Sequence, residues 1–287
     1  MEITTERTSI KPNAILTTGP CGNGKTTLCK TIAPLFIPKF AKLPMVLRVD
    51  MSDILIKWGM QQHGAIGDAL RKYQHYPEKG LYIPDEAAIP AFHAWLDQIL
   101  EQIPSLALFI IGGVPRTFEQ LPEVLKRFKD PVIGYIEATR AQSDQAIFER
   151  FMKSKNLGEK PRLDDVAGKI VMDTRWKENL EQTRPMMAHT GNNGVILDRN
   201  VPFTKRVNDL FDHMLKMEAL GMSPAPKGLL TTAIDRFRNP RHPIHYTIQE
   251  IESPVPVHEH PGYRPEFHGV HNVGNMIRQS VRQFAHA

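Results

Sequence analysis

The stretch Gly19-Pro20-Cys21-Gly22-Asn23-Gly24-Lys25-Thr26 fits the pattern G-x-x-x-x-G-K-S/T at every fixed position. Its glycines allow the backbone to curl until several N–H groups point inward, where they can donate to phosphate oxygens. A helix that follows such a loop adds the positive end of its dipole. We therefore expect the phosphates of ATP to bind at Gly19, Gly22, Asn23, Gly24, Lys25, Thr26 and Thr27, with the Thr26 hydroxyl as a ligand of Mg²⁺.

Apolar segments on both sides of this loop predict the fold. Strands are expected at residues 14–18, 46–49, 106–111, 132–137 and 195–197, and helices at residues 25–36, 52–60, 65–73, 85–102, 143–154 and 165–188. Short apolar strands that alternate with helices are typical of a parallel sheet covered on both faces. With the phosphate loop, the pattern predicts an α/β fold of the P-loop NTPase class, with a parallel β-sheet core flanked by helices.

The composition is that of a globular protein with a sizeable core. Of the 287 residues, 41% are hydrophobic and 23% are charged. No apolar run reaches the roughly 18 residues that a spanning helix needs, and residues 1–7 have no apolar block typical of a secretory signal. Two cysteines cannot form a disulfide framework. These features predict a cytoplasmic protein without a membrane partner.

The charge pattern disfavours a nucleic-acid partner. The formal net charge is +5, but the basic residues are spread along the chain and form no run of like charge. No aromatic platform is interleaved with a basic stripe. The modest positive charge suits an anionic ligand at least as well as nucleic acid, and composition alone does not choose between them.

The composition changes near residue 220. Residues 221–287 are rich in proline and histidine, whereas residues 1–220 carry the strand and helix pattern. We expect residues 1–220 to form the P-loop domain and residues 221–287 to form a C-terminal extension. A contact with a protein partner or with a second copy is the preferred role of this extension, ahead of a metal site at its scattered histidines.

Further motifs follow the phosphate loop in a fixed order. Gly113-Val114-Pro115-Arg116-Thr117 comes after a buried strand, with Gln120 four residues beyond Arg116. Arg150 stands in Glu149-Arg150-Phe151, and the run Arg162-Leu163-Asp164-Asp165 precedes Arg175. With the phosphate loop, this order resembles the adenylate kinase family of nucleoside monophosphate kinases, over about residues 13 to 217.

The resemblance implies an activity, which is the transfer of a phosphoryl group from ATP, with Mg²⁺, to a nucleoside monophosphate. It implies AMP as the acceptor and two ADP as products. A mobile acceptor-binding segment would lie near residues 50–90 and a short lid near residues 153–163. Arginine suits this chemistry because its rigid fork of donors keeps its charge beside phosphate oxygens.

The resemblance also implies roles for single residues. Arg116 would hold the acceptor phosphate beside Gly113, Gln120 would bind the adenine base, and Arg150 would pack over the ATP base. Arg162 and Arg175 would close on the transferred group. The expected catalytic residues are therefore these two arginines together with Lys25 and Arg116. Asp164 and Asp165 are expected to hold arginines of the lid. Asp53 and Lys57 complete the expected acceptor site.

The sequence departs from the family in three places, one of which is a short lid that lacks the family's second lid arginine. Gly112 stands where the family usually has an aspartate that holds Mg²⁺ through water, and Asp50, at the end of the second strand, could supply a carboxylate instead. Ile56 stands where a phosphate-binding arginine is expected, and Lys57 is its neighbour. Two alternatives therefore stay open: a P-loop kinase with another nucleotide or a small metabolite as acceptor, and a nucleotide-binding module of low turnover that controls a partner surface.

Overall fold

The computed structural model describes residues 11–37, 46–77, 79–102, 108–159, 161, 163–166 and 168–239, without the side chains of residues 163, 164 and 168. Arg162 and the histidines expected in the extension lie outside these residues, as does the last part of the extension itself.

The described residues contain five strands in one parallel sheet. They are β1 (Asn13–Thr18), β2 (Val46–Asp50), β3 (Leu108–Gly112), β4 (Lys129–Glu137) and β5 (Gly194–Asp198). The strand order is β2-β3-β1-β4-β5, and every adjacent pair is parallel. The predicted α/β fold with a parallel sheet is confirmed.

The register of the sheet brings three loops together. β1 lies between β3 and β4, with Leu16 opposite Ile111 on one side and Ile133 on the other. Because parallel strands end at the same edge, the loops after β1, β3 and β4 meet there. The phosphate loop follows β1, the Gly-Val-Pro-Arg motif follows β3, and Thr139 follows β4.

Helices cover both faces of the sheet. They are α1 (Lys25–Ile32), α2 (Ala65–Arg71), α3 (Asp85–Gln102), α4 (Gln120–Arg127), α5 (Arg140–Asn156), α6 (Leu163–Val166), α7 (Gly168–Glu178), α8 (Arg184–Met186), α9 (Phe203–Ala219) and α10 (Leu229–Arg238). One core lies under α3 and α4, and the other lies under α1, α9 and α10. Neighbouring strand residues divide between them, since Leu16 belongs to the first and Ile15 to the second.

Several predicted helices differ from the structure in detail. The predicted helix at 25–36 ends at Ile32 and continues as a 3₁₀ turn over Ala33–Phe36. The segment Asp53–Trp58 is π-helical. The long helix predicted over 165–188 is divided, with a π-helical segment Asn179–Thr183 between α7 and α8 and a 3₁₀ turn at Met187–His189. The sequence pattern did not predict α4 or α9.

The structure continues beyond the predicted domain boundary near residue 220. Ala225, Leu230 and Ala233 are buried against the second core, and the ring of Phe237 meets that of Phe211 edge to face at 5.9 Å between centroids. Arg236 donates to the carbonyl oxygens of Leu35 and Ile37. The first part of the predicted extension, residues 225–237, therefore packs as part of the domain core. Within the described residues, no helix has the length and apolar character required to cross a membrane.

This packing predicts the effect of a change in α10. Leu230→Ala should lower the free energy of unfolding by about 2–5 kcal/mol, because it removes a buried side chain and leaves a cavity. Thr231→Ala, on the exposed side of the same helix, should change it by about 0.5 kcal/mol or less. Urea unfolding followed by circular dichroism measures both, and equal effects would show that α10 contributes nothing to the core.

Candidate functional site

The phosphate loop has the backbone that its sequence predicts. Gly19, Gly22 and Gly24 have φ values of 125°, 71° and 96°, in the region that favours glycine. Asn23 is buried, and its Nδ2 donates to the carbonyl oxygen of Ile136 at 2.7 Å. This bond ties the loop to the end of β4.

Lys25 lies inside the curl of the loop. Its Nζ donates to the carbonyl oxygens of Gly19 and Pro20 at 2.8 and 2.7 Å, and to Oδ1 of Asn23 at 3.0 Å. Burial lowers the pKa of Lys25 to about 8, although the neighbouring Cys21 and Asp50 act in the other direction. The ammonium group is thus held by neutral oxygens in a partly buried site.

The next two residues begin α1 and differ in their surroundings. The Thr26 hydroxyl donates to Oδ2 of Asp50 at 3.2 Å. Thr27 is exposed in the first turn of the helix, so its backbone N–H is among the groups that such a helix start offers to an anion.

Arg116 is held by contacts with Tyr82, just before α3, and with the π-helical segment Asn179–Thr183. Its guanidinium lies over the ring of Tyr82, 4.2 Å from the centroid. Its carbonyl oxygen accepts from the Thr183 hydroxyl at 2.7 Å. A side chain at position 113 would place a Cβ 2.6 Å from Nη2 of Arg116, so Gly113 leaves room for the guanidinium to fold back over the loop.

Gln120 is used inside the protein. It is buried, its Oε1 accepts from the backbone N–H of Arg116 at 2.9 Å, and its Nε2 donates to Oδ1 of Asp85 at 2.5 Å. Both ends of the amide therefore fix the turn that carries Arg116. Contact with an acceptor base, the role that the resemblance implies, stays a prediction.

Arg175 reaches the phosphate loop from α7. It is buried, its Nε donates to the carbonyl oxygen of Gly80 at 2.6 Å, and its Nη1 donates to Sγ of Cys21 at 3.4 Å. Its guanidinium also lies 5.4 Å from the centroid of Tyr82. The segment with Gly80 and Tyr82 therefore meets α7 over the phosphate loop, where Tyr82 lies beside both Arg116 and Arg175.

The two cysteines have opposite surroundings. Burial raises the pKa of the Cys21 thiol, but the charges of Arg175 and Lys25 and the hydrogen bond from Arg175 outweigh it, so the pKa is lowered. Burial raises the pKa of Cys29 to about 12, against the hydrogen bond with Thr17. Cys21 therefore marks a strongly positive point in the loop.

Other predicted site residues lie in separate contacts. Arg150 forms a bidentate ion pair with Asp165, and its Nε lies 2.9 Å from both carboxylate oxygens. Lys57 is exposed and pairs with Asp53 at 3.0 Å. The predicted lid at 153–163 includes Arg162, which is outside the described residues. The structure thus brings together Lys25, Arg116 and Arg175, and it places Arg150, Asp53 and Lys57 in their own ion pairs.

Sequence reasoning did not identify several residues at this site. Tyr82 is one, and no motif marks it. Arg199 donates to the carbonyl oxygens of Gly22 and Gln142 at 2.9 and 3.0 Å, and Arg206 approaches Gly24 from α9. A basic residue just after the last strand was visible in the sequence, but only the fold places it on the phosphate loop.

The arrangement supplies positive charge without a preformed metal cluster. In the part of the chain that the structure describes, no three side chains of His, Cys, Asp or Glu come together as metal ligands. Cations and backbone N–H groups converge at the carboxyl edge of the sheet. Such a site can bind phosphate groups and stabilise the charge that spreads over them during transfer.

The sheet order and the loop after the central strand define an α/β domain of the P-loop class. The chain is similar in structure to a gluconokinase from Sinorhizobium meliloti 1021, with a TM-score of 0.44 and 12% sequence identity, over 73% of this chain and 96% of that chain. No protein-family model matches the chain, and no curated protein matches it. The assignment of the class rests on the sheet and the loop themselves.

The surroundings of the cysteines predict selective alkylation. Iodoacetamide at neutral pH should modify Cys21 and leave Cys29 unmodified in the native protein, because only the first has a lowered pKa and partial exposure. ATP should protect Cys21. Peptide mass spectrometry reads out both sites, and unfolded protein serves as the control in which both react. Equal rates in the native state would contradict the assigned surroundings.

The lowered pKa of Lys25 predicts that ATP affinity depends on pH. Phosphate binding favours the charged amine, which the ligand-free protein loses as the pH rises through about 8. The dissociation constant for ATP should therefore increase by up to about tenfold per pH unit above that value. Calorimetric titration from pH 7 to 9.5 measures it, with proton uptake above pH 8.

Two variants control this titration. Lys25→Arg keeps its charge and should show a flatter profile. Cys21→Ser removes the titration of the neighbouring thiol and should retain the decline. An affinity that stays constant up to pH 9.5 would overturn the assignment to Lys25.

Proposed function

We propose that this protein is an ATP-dependent phosphotransferase of the nucleoside monophosphate kinase type, with AMP as the preferred acceptor. The observation that supports this proposal is the convergence of three cations from three parts of the chain. Lys25 comes from the phosphate loop, Arg116 from the loop after β3, and Arg175 from α7. A site for one nucleotide needs fewer fixed cations than a site where two phosphorylated molecules meet.

The roles of these cations follow from their positions. Lys25 would bind the β- and γ-phosphates, since its Nζ is held by oxygens within the loop. Arg116, on the acceptor side, would hold the acceptor phosphate. Arg175 would neutralise the equatorial oxygens of the transferring group, because it contacts both the loop and the acceptor-side segment.

Exclusion of water is the second requirement of this reaction. An open cleft would allow hydrolysis in place of transfer. The contact of Gly80 with Arg175 and Val171 on α7 closes the site from the acceptor side. These contacts must open for the nucleotides to enter, which is consistent with mobile segments near 50–90 and 153–163.

A second candidate is a kinase whose acceptor carries a hydroxyl group. Gln120 already uses both ends of its amide, and Ile56 replaces an expected cation. Glu178 lies near Arg175 and Arg116, burial raises its pKa, and its Oε2 has no hydrogen-bond partner among the described residues. A carboxylate so placed could accept the proton of an attacking hydroxyl, a step that an anionic phosphate acceptor does not need.

The first experiment is the formation of ADP with ATP and Mg²⁺ across a panel of nucleoside monophosphates, with gluconate as a hydroxyl acceptor and a control without acceptor. Turnover with AMP above the others supports the first proposal. Turnover only with a hydroxyl acceptor, lost in Glu178→Gln, supports the second. ATP binding without turnover on the whole panel would contradict both.

A matched pair of arginine variants tests the acceptor assignment. Arg116→Ala should lower kcat/KM for the monophosphate by roughly 100-fold, because it removes a charged donor to the acceptor phosphate. Arg127→Ala, at the far end of α4 where it pairs with Asp97, should stay within about twofold. An unchanged rate in Arg116→Ala would exclude Arg116 from the acceptor site.

A further inference from the structure

At the ends of β2 and β3, a side chain on one strand fills the space beside a glycine on the other. Asp50 and Gly112 are the last residues of these strands and lie opposite each other in the parallel register. A Cβ at position 112 would fall 2.0 Å from Oδ1 of Asp50. The carboxylate therefore occupies the space in which a side chain at position 112 would begin.

The contacts of Asp50 connect it to the phosphate loop. Its Oδ2 accepts from the Thr26 hydroxyl at 3.2 Å, and Nη2 of Arg48 lies 3.7 Å from the same oxygen. The carboxylate is 20% exposed, so it is reachable by water. Because the Thr26 hydroxyl donates its hydrogen bond to Asp50, the lone pairs of its oxygen remain available for a cation.

These groups fit the cation that ATP brings with it. Mg²⁺ binds oxygen ligands and keeps several of its waters, so it is usually held by one or two protein groups plus phosphate oxygens. Thr26 offers a hydroxyl ligand, and Asp50 offers a carboxylate that can accept from the waters of the cation. When bound, Mg²⁺ supplies charge neutralisation of the phosphates. The donor set and the cradle at Gly112 therefore match the requirement.

We infer that Asp50, at the end of β2, is the carboxylate that positions Mg²⁺-ATP on the phosphate loop, and that Gly112 is needed because its missing side chain gives Asp50 this place. The inference rests on the proposed binding of ATP. The carboxylate expected on β3 is thus replaced by one on the neighbouring strand. Asp50 is a positioning residue, since it acts on the cation through Thr26 and water.

A purely structural role is the competing explanation. Asp50 could serve only to accept from Thr26 and to pair with the buried Arg48. The two explanations differ in one measurable quantity, the increase in affinity for a non-hydrolysable ATP analogue when Mg²⁺ replaces EDTA. A structural role predicts a loss of affinity under both conditions, whereas a positioning role predicts a loss with Mg²⁺ alone.

The first test is Asp50→Asn, which keeps the shape and removes the charge. Calorimetry with AMP-PNP should show that the gain from Mg²⁺ falls by about tenfold or more, while binding in EDTA is retained. Asp97→Asn, an exposed aspartate paired with Arg127, should leave the gain unchanged. A full gain from Mg²⁺ in Asp50→Asn would overturn the inference.

The second test moves the carboxylate between strands. Gly112→Ala should reduce the gain from Mg²⁺, because its Cβ displaces the carboxylate of Asp50. The double variant Asp50→Gly with Gly112→Asp should recover part of the gain that Asp50→Gly alone loses, since it returns a carboxylate to the same place from β3. If the double variant unfolds at the wild-type temperature but recovers none of the gain from Mg²⁺, the idea that a carboxylate on either strand can serve is contradicted.

The design separates this inference from the proposed function. If wild-type protein does not bind AMP-PNP at all, the proposed function fails. If it binds with equal affinity in Mg²⁺ and EDTA, the role of Asp50 fails and nucleotide binding stands. Because no acceptor is present, the identity of the acceptor does not affect the result. Should Asp50→Asn not fold, Gly112→Ala provides the same measurement with Asp50 in place.

Discussion

The parallel pairing of β1 with β3 on one side and β4 on the other is the constraint on which the rest of the site depends. It fixes the carboxyl ends of three strands side by side, and each strand end continues into a loop with a different role. The phosphate loop is also anchored to β4, since Asn23 donates to the carbonyl oxygen of Ile136. The Gly-Val-Pro-Arg turn reaches the loop because β3 ends beside β1.

Three cations close together at the phosphate loop raise the free energy of the folded protein, and their contacts limit this cost. Lys25 is surrounded by carbonyl oxygens, Arg116 by the face of an aromatic ring, and Arg175 by a carbonyl oxygen and a thiol. These partners carry partial negative charge or a polarisable electron cloud. Burial still lowers the pKa of Lys25. An incoming phosphate adds full negative charge beside these cations, which explains why the same groups favour anions.

The sequence predicted the strands and their parallel arrangement, because short apolar runs alternate with helices, but it did not predict the strand order. It predicted less at α5, which begins at Arg140 because Thr139 and Gln142 form a reciprocal cap, a signal that the hydrophobic period does not contain. Burial of α10 was not predicted, because proline and histidine dominate the composition around it. Tyr82 could not be found from its neighbours in sequence, since its contacts with Arg116 and Arg175 join three distant segments.

The pair Asp50 and Gly112 shows why a motif position can mislead. In the sequence, Gly112 stands where the resemblance implies a carboxylate, and Asp50, 62 positions away, is only a possible substitute. In the sheet they are opposite each other, and one point in space can be reached from either strand. A ligand responds to the position of a charge and not to the strand that carries it. The absence of a side chain at Gly112 therefore leaves the space in which the carboxylate of Asp50 stands beside Thr26, so the two residues form one arrangement.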